Sequence, residues 1–325
     1  MNGAPALAIE TIGLAKRFAR TTALGDLTLE VGRGEIFGFL GPNGAGKTTA
    51  IKLLLGLARP SAGAAEVLGA PLGDRAARRK IGYLPELFRY QEWLAASEVL
   101  AFHARLLGLP RAGRYAEIAR VLEIAGLSAR AGDRVGTYSK GMQQRLGIAV
   151  ALLGEPDLVF LDEPTSALDP LGRRDVRVLI EDLRRAGTTV FLNSHLLTEV
   201  ERVCDRIAVV DRGRVVASGT VAELLGRGPE TRLLLGNVGP EAAALLARAA
   251  AHRAAAATAL DLPPEAAWYA VSAPLDAMPP LVAALVHAGA AVYAVEAVRA
   301  TLEERFLELL REENADDRRR LADPA

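Results

Sequence analysis

Gly41-Pro42-Asn43-Gly44-Ala45-Gly46-Lys47-Thr48 is the stretch of this 325-residue sequence that decides the fold. It fits the phosphate-binding loop pattern G-x-x-x-x-G-K-S/T at every fixed position. The apolar run Glu35–Leu40 precedes it and the helical run Thr49–Leu55 follows it. A loop of this kind between a strand and a helix is typical of a phosphate site, so we prefer that interpretation to an ordinary glycine-rich turn.

The residue types in this loop suit phosphate chemistry. Glycines let backbone N–H groups curl around a phosphate without a Cβ in the way. The N-terminus of the following helix adds a partial positive charge at the same point. Lys47 is long enough to reach the β- and γ-phosphates of a nucleotide, and the Thr48 hydroxyl is a suitable ligand for Mg²⁺.

Two carboxylates follow a second apolar strand, Leu158–Leu161. We expect Asp162 at the strand tip to hold the Mg²⁺ shell and Glu163 to polarise an attacking water. A positioned base of this kind contributes about 10²–10⁴ in rate. The alternative is a helix cap before Pro164, but a phosphate loop earlier in the chain favours the catalytic interpretation.

A histidine follows a third strand-like run in the same way. His195 comes just past Thr188–Leu192, where a parallel sheet presents its ligand-binding edge. We therefore predict that His195 contacts the γ-phosphate and orients the water.

Composition narrows the class of protein. Lys+Arg and Asp+Glu are both 39, so the net charge is near zero and gives no reason to expect nucleic acid as a partner. The single cysteine, Cys204, cannot form an internal disulfide, which fits a reducing cytoplasm. The start of the chain does not resemble a secretory signal. The uncharged stretch 277–295 contains two prolines and a glycine, so we expect a helix, a turn and a strand there and no membrane span.

The pattern of runs predicts an α/β domain over residues 1–226. Its short apolar strands alternate with helical runs, which favours a mainly parallel sheet covered by helices. A long helical insertion, roughly residues 95–153, separates the second of these strands from the third. The predicted strands are Glu35–Leu40, Ile81–Leu84, Leu158–Leu161, Thr188–Leu192 and Ile207–Val210.

A smaller α+β domain is predicted for residues 230–312. Its elements follow the order of a ferredoxin-like fold. The charged end, residues 313–325, is predicted to be disordered. The predicted elements are Thr231–Leu235, helix Pro240–Ala251, a strand near Ala257–Asp261, strand Ala267–Ser272, helix Ala277–His287, strand Ala291–Glu296 and a last helix Thr301–Glu312.

Taken together, these motifs resemble the nucleotide-binding subunit of an ATP-binding-cassette (ABC) transporter. The resemblance covers about residues 1–225, with the motifs in the family's order and spacing. It implies a P-loop NTPase fold, ATP and Mg²⁺ as ligands, and ATP hydrolysis. By this resemblance Glu163 is the catalytic glutamate, His195 the switch histidine and Phe18 the aromatic that stacks on adenine. The residues expected to bind ATP are Phe18, Gly41, Pro42, Asn43, Gly44, Ala45, Gly46, Lys47, Thr48 and Thr49.

The resemblance also assigns the remaining loops. Ser166–Asp169 is the D-loop, with Asp169 as its acidic residue. Ser139, Lys140, Gly141 and Met142 stand where the family usually has Ser-Gly-Gly-Gln of its signature. Ser139 and Gly141 keep a hydroxyl and a backbone N–H for a γ-phosphate, Lys140 adds a charge, and Met142 loses a polar contact.

A second departure is Glu86, where the family commonly has glutamine. Its carboxylate is a possible ligand of Mg²⁺, directly or through water, although its like charge with Asp162 would shift the affinity. Neither departure argues for an inactive site, because Lys47, Asp162, Glu163 and His195 are all present.

In such ATPases the signature of one subunit closes the ATP site of another. One chain carries one copy of each motif, so the resemblance implies a second copy of this chain as a partner, together with an integral-membrane permease. It implies a peripheral location on the cytoplasmic face of the cell membrane. Residues 230–312 more weakly resemble the accessory domain of ATPases that drive bacterial drug, antibiotic or polysaccharide exporters.

Three alternatives stay open at this stage. One is an ATPase of a metal-related or maturation system, such as copper insertion. Another is a soluble ABC ATPase acting on ribosomes or DNA, although those usually carry two cassettes or a long coiled-coil insertion. The third is a purely regulatory nucleotide-binding module, against which Glu163 and His195 count. The transported substrate and the direction of transport cannot be read from the sequence.

Overall fold

The computed structural model describes residues 6–166, 168–225, 230–256, 263, 265–298 and 301–322. The chain divides into two compact units. The first contains the residues up to Leu224 together with the chain from Arg305 on, and the second contains Leu225–Glu304. The boundary near residue 225 is close to the one predicted from the sequence.

The first unit is built on a sheet of ten strands within the described residues. Its strands are β1 Leu7–Phe18, β2 Thr21–Gly32, β3 Ile36–Leu40, β4 Ala62–Val67, β5 Ala70–Pro71, β6 Ile81–Leu84, β7 Leu158–Asp162, β8 Thr189–Asn193, β9 Arg206–Asp211 and β10 Arg214–Thr220. Its helices are α1 Lys47–Leu54, α2 Arg75–Arg78, α3 Ala96–Leu106, α4 Arg114–Ile124, α5 Lys140–Ala151, α6 Pro170–Arg185, α7 Leu197–Val203 and α8 Val221–Leu225.

One half of this sheet is parallel. The order along it is β5-β4-β1-β2-β10-β9-β3-β8-β7-β6, and the pairs from β9 to β6 are parallel. All five residues of β3, β7 and β8 are buried, as expected of parallel strands covered on both faces. Phe191 lies at the centre of this core, with its ring 5.1–5.7 Å from those of Phe37, Phe39 and Phe160.

The other half of the sheet is mostly antiparallel, which the prediction of a mainly parallel sheet did not include: β5-β4, β4-β1, β1-β2 and β10-β9 are antiparallel, whereas β10 and β2 are parallel. Strands β1, β2, β4 and β10 were not predicted. In β2 the buried Leu27, Leu29 and Val31 alternate with exposed polar residues. A strand that is buried on one face alternates in this way and contains no continuous apolar run.

Helices α3, α4 and α5 lie within the predicted helical insertion. A polar cluster fastens α4 to the loop after α5. The Glu117 carboxylate accepts hydrogen bonds from the Arg120 guanidinium at 2.7 and 2.8 Å and from the Gly154 N–H at 2.7 Å. Arg120 also donates to the Leu152 carbonyl at 2.9 Å.

The second unit has a four-stranded antiparallel sheet in the order β12-β13-β11-β14. Its elements are β11 Glu230–Gly236, α9 Pro240–Arg248, β12 His252–Ala256, β13 Ala267–Val271, α10 Met278–His287 and β14 Ala291–Val298. The β-α-β-β-α-β order agrees with the predicted ferredoxin-like arrangement. Its core contains Leu233, Leu235, Leu246 and Leu285.

Three sequence predictions concern residues 257–322. The predicted strand near Ala257–Asp261 lies outside the described residues. A final helix, α11 Leu302–Ala322, includes residues 313–322, which were predicted to be disordered. Those ten residues contain no glycine or proline that would end a helix. The suspected span at 277–295 is divided between α10 and β14, and no helix among the described residues combines the length and the apolar character needed to cross a bilayer.

Substitution of Glu117 tests the polar cluster at α4. Burial favours the neutral carboxyl, but Arg120 and the Gly154 N–H outweigh it and hold the pKa of Glu117 below its ordinary value. A lowered folded-state pKa stabilises the fold above the unfolded-state pKa, and this stabilisation is lost as pH falls through the folded-state pKa. Glu117→Gln should therefore lower the free energy of unfolding by about 1–3 kcal/mol at pH 7, and the deficit should shrink towards pH 3.

Urea unfolding at a series of pH values measures this difference. Glu123→Gln, at an exposed glutamate of the same helix, is the matched control and should change the unfolding free energy by less than about 0.5 kcal/mol. A deficit in Glu117→Gln that stays constant from pH 7 to pH 3 would contradict the assigned role of the charge.

Candidate functional site

The loop from Gly41 to Gly46 joins β3 to α1 at the carboxyl edge of the parallel strands. Gly46 is the N-cap of α1, with φ at +99°. A Cβ on Gly46 would lie 2.4 Å from the Ala23 carbonyl oxygen, and a Cβ on Gly41 would lie 2.2 Å from that of Val210. Both positions therefore need glycine. The loop leads directly into the N-terminus of α1, where backbone N–H groups and the helix dipole favour a bound phosphate.

Lys47 is the first residue of α1 and folds back over this loop. Its Nζ donates to the carbonyl oxygens of Gly41 at 2.6 Å and Pro42 at 3.1 Å. Burial lowers the pKa of Lys47, and the neighbouring carboxylates of Glu163, Asp162 and Glu86 oppose that shift. The ammonium group thus lies beside the loop, with loop carbonyls as hydrogen-bond partners.

Asp162 ends β7 and lies directly opposite Asn193, which ends β8. The Asn193 side chain donates from Nδ2 to Asp162 Oδ1 at 2.5 Å. Burial raises the pKa of Asp162 and this hydrogen bond opposes the rise, while the charge of Glu86 adds to it. The carboxylate therefore has a fixed orientation and is poorly solvated.

Glu163 has an unusual backbone for a residue other than glycine, with φ at +53°. Its N–H donates to the carbonyl of Asn193 at 2.8 Å. Its side chain is only 9% exposed, and Oε2 lies 2.7 Å from Nδ1 of His195. Burial raises the pKa of Glu163, and His195 opposes that shift.

Lys47 and Glu163 border a cavity of about 530 Å³, and Asp162 is hydrogen-bonded to its lining residue Asn193. It brings part of the predicted loop, from Asn43 to Thr49 without Ala45, together with Glu86, Glu163 and His195. The lining residues are Thr21, Thr22, Ala23, Asn43, Gly44, Gly46, Lys47, Thr48, Thr49, Glu86, Glu163, Asn193 and His195. A base, a cation, hydroxyl groups and a helix N-terminus around one space are the parts that phosphoryl transfer to water requires.

The donor set also fits Mg²⁺. Mg²⁺ prefers hard oxygen ligands and is commonly held by one or two protein groups together with substrate phosphates and water. The Thr48 hydroxyl borders the cavity, and Asp162 is beside the cavity residue Asn193. The described residues contain no group of three or more His, Cys, Asp or Glu side chains placed to hold a metal by themselves.

Several predicted site residues lie outside this cavity. Phe18 is half exposed at the end of β1, paired in register with the lining residue Thr21 and covered by the Lys16 ammonium at 4.9 Å. Its position is therefore at the rim. Asp169 caps α6 by accepting from Gly172 N at 3.0 Å.

The signature residues are also separate from the cavity. Ser139 caps α5, accepting from the Met142 N–H at 3.2 Å. Ser139 and Lys140 are exposed, and Gly141 and Met142 are partly exposed. A single chain therefore presents the signature on its surface and does not bring it to its own phosphate loop.

Sequence reasoning missed two groups at the site. Asn193 was passed over in favour of His195, although it directly follows an apolar strand beside the one that ends in Asp162. Thr21 and Thr22 begin β2 and were not singled out, because β1 and β2 were not predicted as strands. Recognition of the alternating pattern in β2 would have placed both hydroxyls near the loop.

A larger cavity of about 610 Å³ lies elsewhere in the first unit, near the amino ends of β7 and β8. Arg33, Lys80 and Arg120 border it together with Glu155 and Asp157. No phosphate-loop residue takes part in it. Size alone therefore does not identify the site, and the chemistry of the lining does.

Comparison with known protein families agrees with this site. A family model described as ABC transporter matches residues 24–166, and a second model, described as an AAA domain, matches residues 134–201. A solved structure described as the ATP-binding subunit of an ABC transporter is 34% identical, with a TM-score of 0.60, over 67% of this chain and 91% of the other. The predicted α/β P-loop fold is confirmed.

Curated relatives give the same result. An uncharacterized ABC transporter ATP-binding protein of Nostoc is 48% identical over 209 residues, which is 64% of this chain and only 62% of that relative. The daunorubicin/doxorubicin resistance ATP-binding protein DrrA of Streptomyces peucetius is 42% identical, over 69% of this chain and 68% of its own length. The Nod factor export ATP-binding protein I of Cupriavidus pinatubonensis is 38% identical, over 67% of each chain. On this evidence the chain belongs to the ATP-binding proteins of ABC transporters, a family of ATPases.

Proposed function

We propose that this chain hydrolyses ATP as the energising subunit of a membrane ABC transporter of the exporter type, with a separate permease. The observation that carries the proposal is the single cavity that joins Lys47 at the phosphate loop to Glu163 and His195. Regulatory nucleotide binding alone would need the loop but not a buried carboxylate aimed into the same space.

The proposed reaction is attack of water on the γ-phosphorus of ATP. The bond from that phosphorus to the bridging oxygen breaks, and ADP and phosphate leave. The loop N–H groups, the α1 N-terminus and Lys47 hold the phosphates and stabilise the charge that develops on them. When bound, Mg²⁺ neutralises phosphate charge, and Thr48, Asp162 and Glu86, the last directly or through water, are the residues proposed to hold it.

Glu163 is the proposed general base that takes the proton of the attacking water. Its buried carboxyl, with a pKa raised by burial, is a better base near neutral pH than an exposed glutamate. His195 lies within 2.7 Å of the same carboxylate. We assign His195 the role of orienting Glu163 and the water and of sensing the γ-phosphate.

A complete catalytic unit is proposed to need two copies of this chain. The surface position of Ser139, Lys140, Gly141 and Met142 supports this, because these groups are free to meet the nucleotide of another subunit. Asp169, at the N-cap of α6, is proposed to take part in the same interface. Nucleotide would then bind the closed pair better than the open chains and shift the population towards it.

The names of the relatives support the exporter assignment. One is named for drug resistance and another for Nod factor export. We place the pair on the cytoplasmic face of the cell membrane, held there by the permease. The second unit, Leu225–Glu304, is proposed to support the dimer or to regulate it. A metal-related maturation system, such as copper insertion, is the second candidate within transport.

Glu163→Gln tests the base. The amide is isosteric but cannot accept the proton, so the hydrolysis rate should fall by about 10²–10⁴ while ATP still binds. The variant should accumulate as an ATP-bound dimer, measured by phosphate release and by size-exclusion chromatography with ATP. Glu66→Gln, at an exposed glutamate of β4, is the matched control and should behave as the wild type. Turnover by Glu163→Gln at the wild-type rate would refute the assigned base.

Affinity purification from the native host tests the transport assignment. The tagged full-length chain should retain a multi-span membrane protein in stoichiometric amount after the membranes are dissolved in detergent. A tagged Lys47→Ala chain, run in parallel, shows whether the association survives a disabled phosphate site. Recovery of ribosomal or DNA-bound partners with an active ATPase would instead support a soluble ABC ATPase.

A further inference from the structure

Asn193 is a buried polar residue at the end of an apolar strand. Asn193 is 3% exposed, and the other four residues of β8 are buried as well. A buried amide that loses its hydrogen-bond partner costs about 1–3 kcal/mol. An asparagine at this position therefore needs hydrogen-bond partners that offset the free-energy cost of its burial.

The contacts of Asn193 are with the two acids of the site. Its Nδ2 donates to Asp162 Oδ1 at 2.5 Å, and its backbone carbonyl accepts from the Glu163 N–H at 2.8 Å. The parallel register of β7 and β8 sets Asp162 directly opposite it. Asn193 is thus bonded to the carboxylate proposed to ligate Mg²⁺ and to the backbone of the proposed base.

One atom of this side chain has no partner. Asn193 Oδ1 is buried and accepts no hydrogen bond in the structure, and the residue borders the cavity that Lys47, Glu163 and His195 share. An orphaned acceptor at the wall of a polar cavity fits a ligand that brings a donor. Water that accompanies a nucleotide and its metal is a donor of this kind.

We propose that Asn193 is a positioning residue for the metal–nucleotide complex, and this inference rests on the proposed ATPase function. The Nδ2 hydrogen bond occupies Asp162 Oδ1 and keeps the other carboxylate oxygen for the metal. Oδ1 of Asn193 accepts a hydrogen bond from a water of the bound complex. The backbone bond to Glu163 stays when the side chain is replaced, so side-chain variants separate the metal role from the placement of the base.

The size of the expected effect follows from the chemistry of metal ligands. Groups that hydrogen-bond to a ligand and orient it typically change metal affinity by about 10–100-fold when they are removed. Nucleotide binding without metal depends on the loop and Lys47. The Lys47 ammonium bonds to the loop carbonyls of Gly41 and Pro42, whereas the Asn193 side chain bonds to Asp162. The proposal therefore predicts that loss of the Asn193 side chain weakens metal binding and leaves metal-free nucleotide binding unchanged.

The test uses Asn193→Leu, which keeps the approximate size of the side chain and removes both polar atoms. The probe is Mn²⁺, measured by electron paramagnetic resonance on the full-length protein with a non-hydrolysable ATP analogue. Mn²⁺ should bind the variant about 10–100-fold more weakly than the wild type. Fluorescent ATP in the presence of EDTA should bind both within about twofold.

Thr189→Val is the matched control. Thr189 is a buried polar residue at the other end of β8, and its hydroxyl accepts from the Gly34 N–H at 2.9 Å. Its loss removes one hydrogen bond from the same strand without touching the cavity, so Mn²⁺ affinity should stay at the wild-type value. If Asn193→Leu does not fold, as judged by thermal unfolding, Asn193→Ala makes the same test without filling the space.

A double mutant shows whether Asn193 acts through Asp162. In the Asp162→Ala background, Asn193→Leu should weaken Mn²⁺ binding by clearly less than it does in the wild type, because the part of its effect that acts through Asp162 is already lost and only the water contact of Oδ1 remains. Full additivity, or unchanged Mn²⁺ affinity in Asn193→Leu, would overturn the inference. If the wild type itself binds neither Mn²⁺ with the analogue nor fluorescent ATP, the proposed function fails instead.

Discussion

The parallel register of β3, β8 and β7 is the constraint on which the site depends. In a parallel sheet the carboxyl ends of all strands meet at one edge. The phosphate loop follows β3 and His195 follows β8. Asp162 is the last residue of β7, and Glu163 comes directly after it. Segments far apart in the sequence therefore meet in one cavity because the strands beneath them are packed around Phe191. A change in register would separate the base from the loop.

The electrostatics of the cavity follow from burial. Burial raises the pKa values of Asp162 and Glu163 and lowers that of Lys47. Each pKa shift arises because the charged form of the group is poorly solvated, and neighbouring opposite charges offset part of it. A nucleotide brings phosphates for Lys47 and a metal for the carboxylates, so the proposed ligand complements both sets of charges. The same burial that is costly for the acids makes Glu163 a stronger base.

How much was predictable depended on the kind of pattern involved. The loop, the acids after β7 and His195 were found because each follows a continuous apolar run, the signal of a fully buried strand. Strand β2 is buried on one face and alternates, and β1 and β4 contain no continuous buried run of that kind, so all three were missed, and with them Thr21 and Thr22. Asn193 was missed because its contact with Asp162 depends on the register of β7 with β8, which cannot be read from the sequence. Charge alone led to the prediction of disorder for residues 313–325, whereas α11 extends to Ala322 over a stretch without glycine or proline.

The central claim is that one chain holds half of a catalytic unit, and the rate of hydrolysis per chain tests it most directly. Phosphate release should be measured over a wide range of protein concentrations, with sedimentation at the same concentrations to report association. The account predicts that the rate per chain rises with concentration and levels off where ATP-bound dimers dominate. A rate per chain that stays constant down to concentrations at which only single chains are present would contradict it.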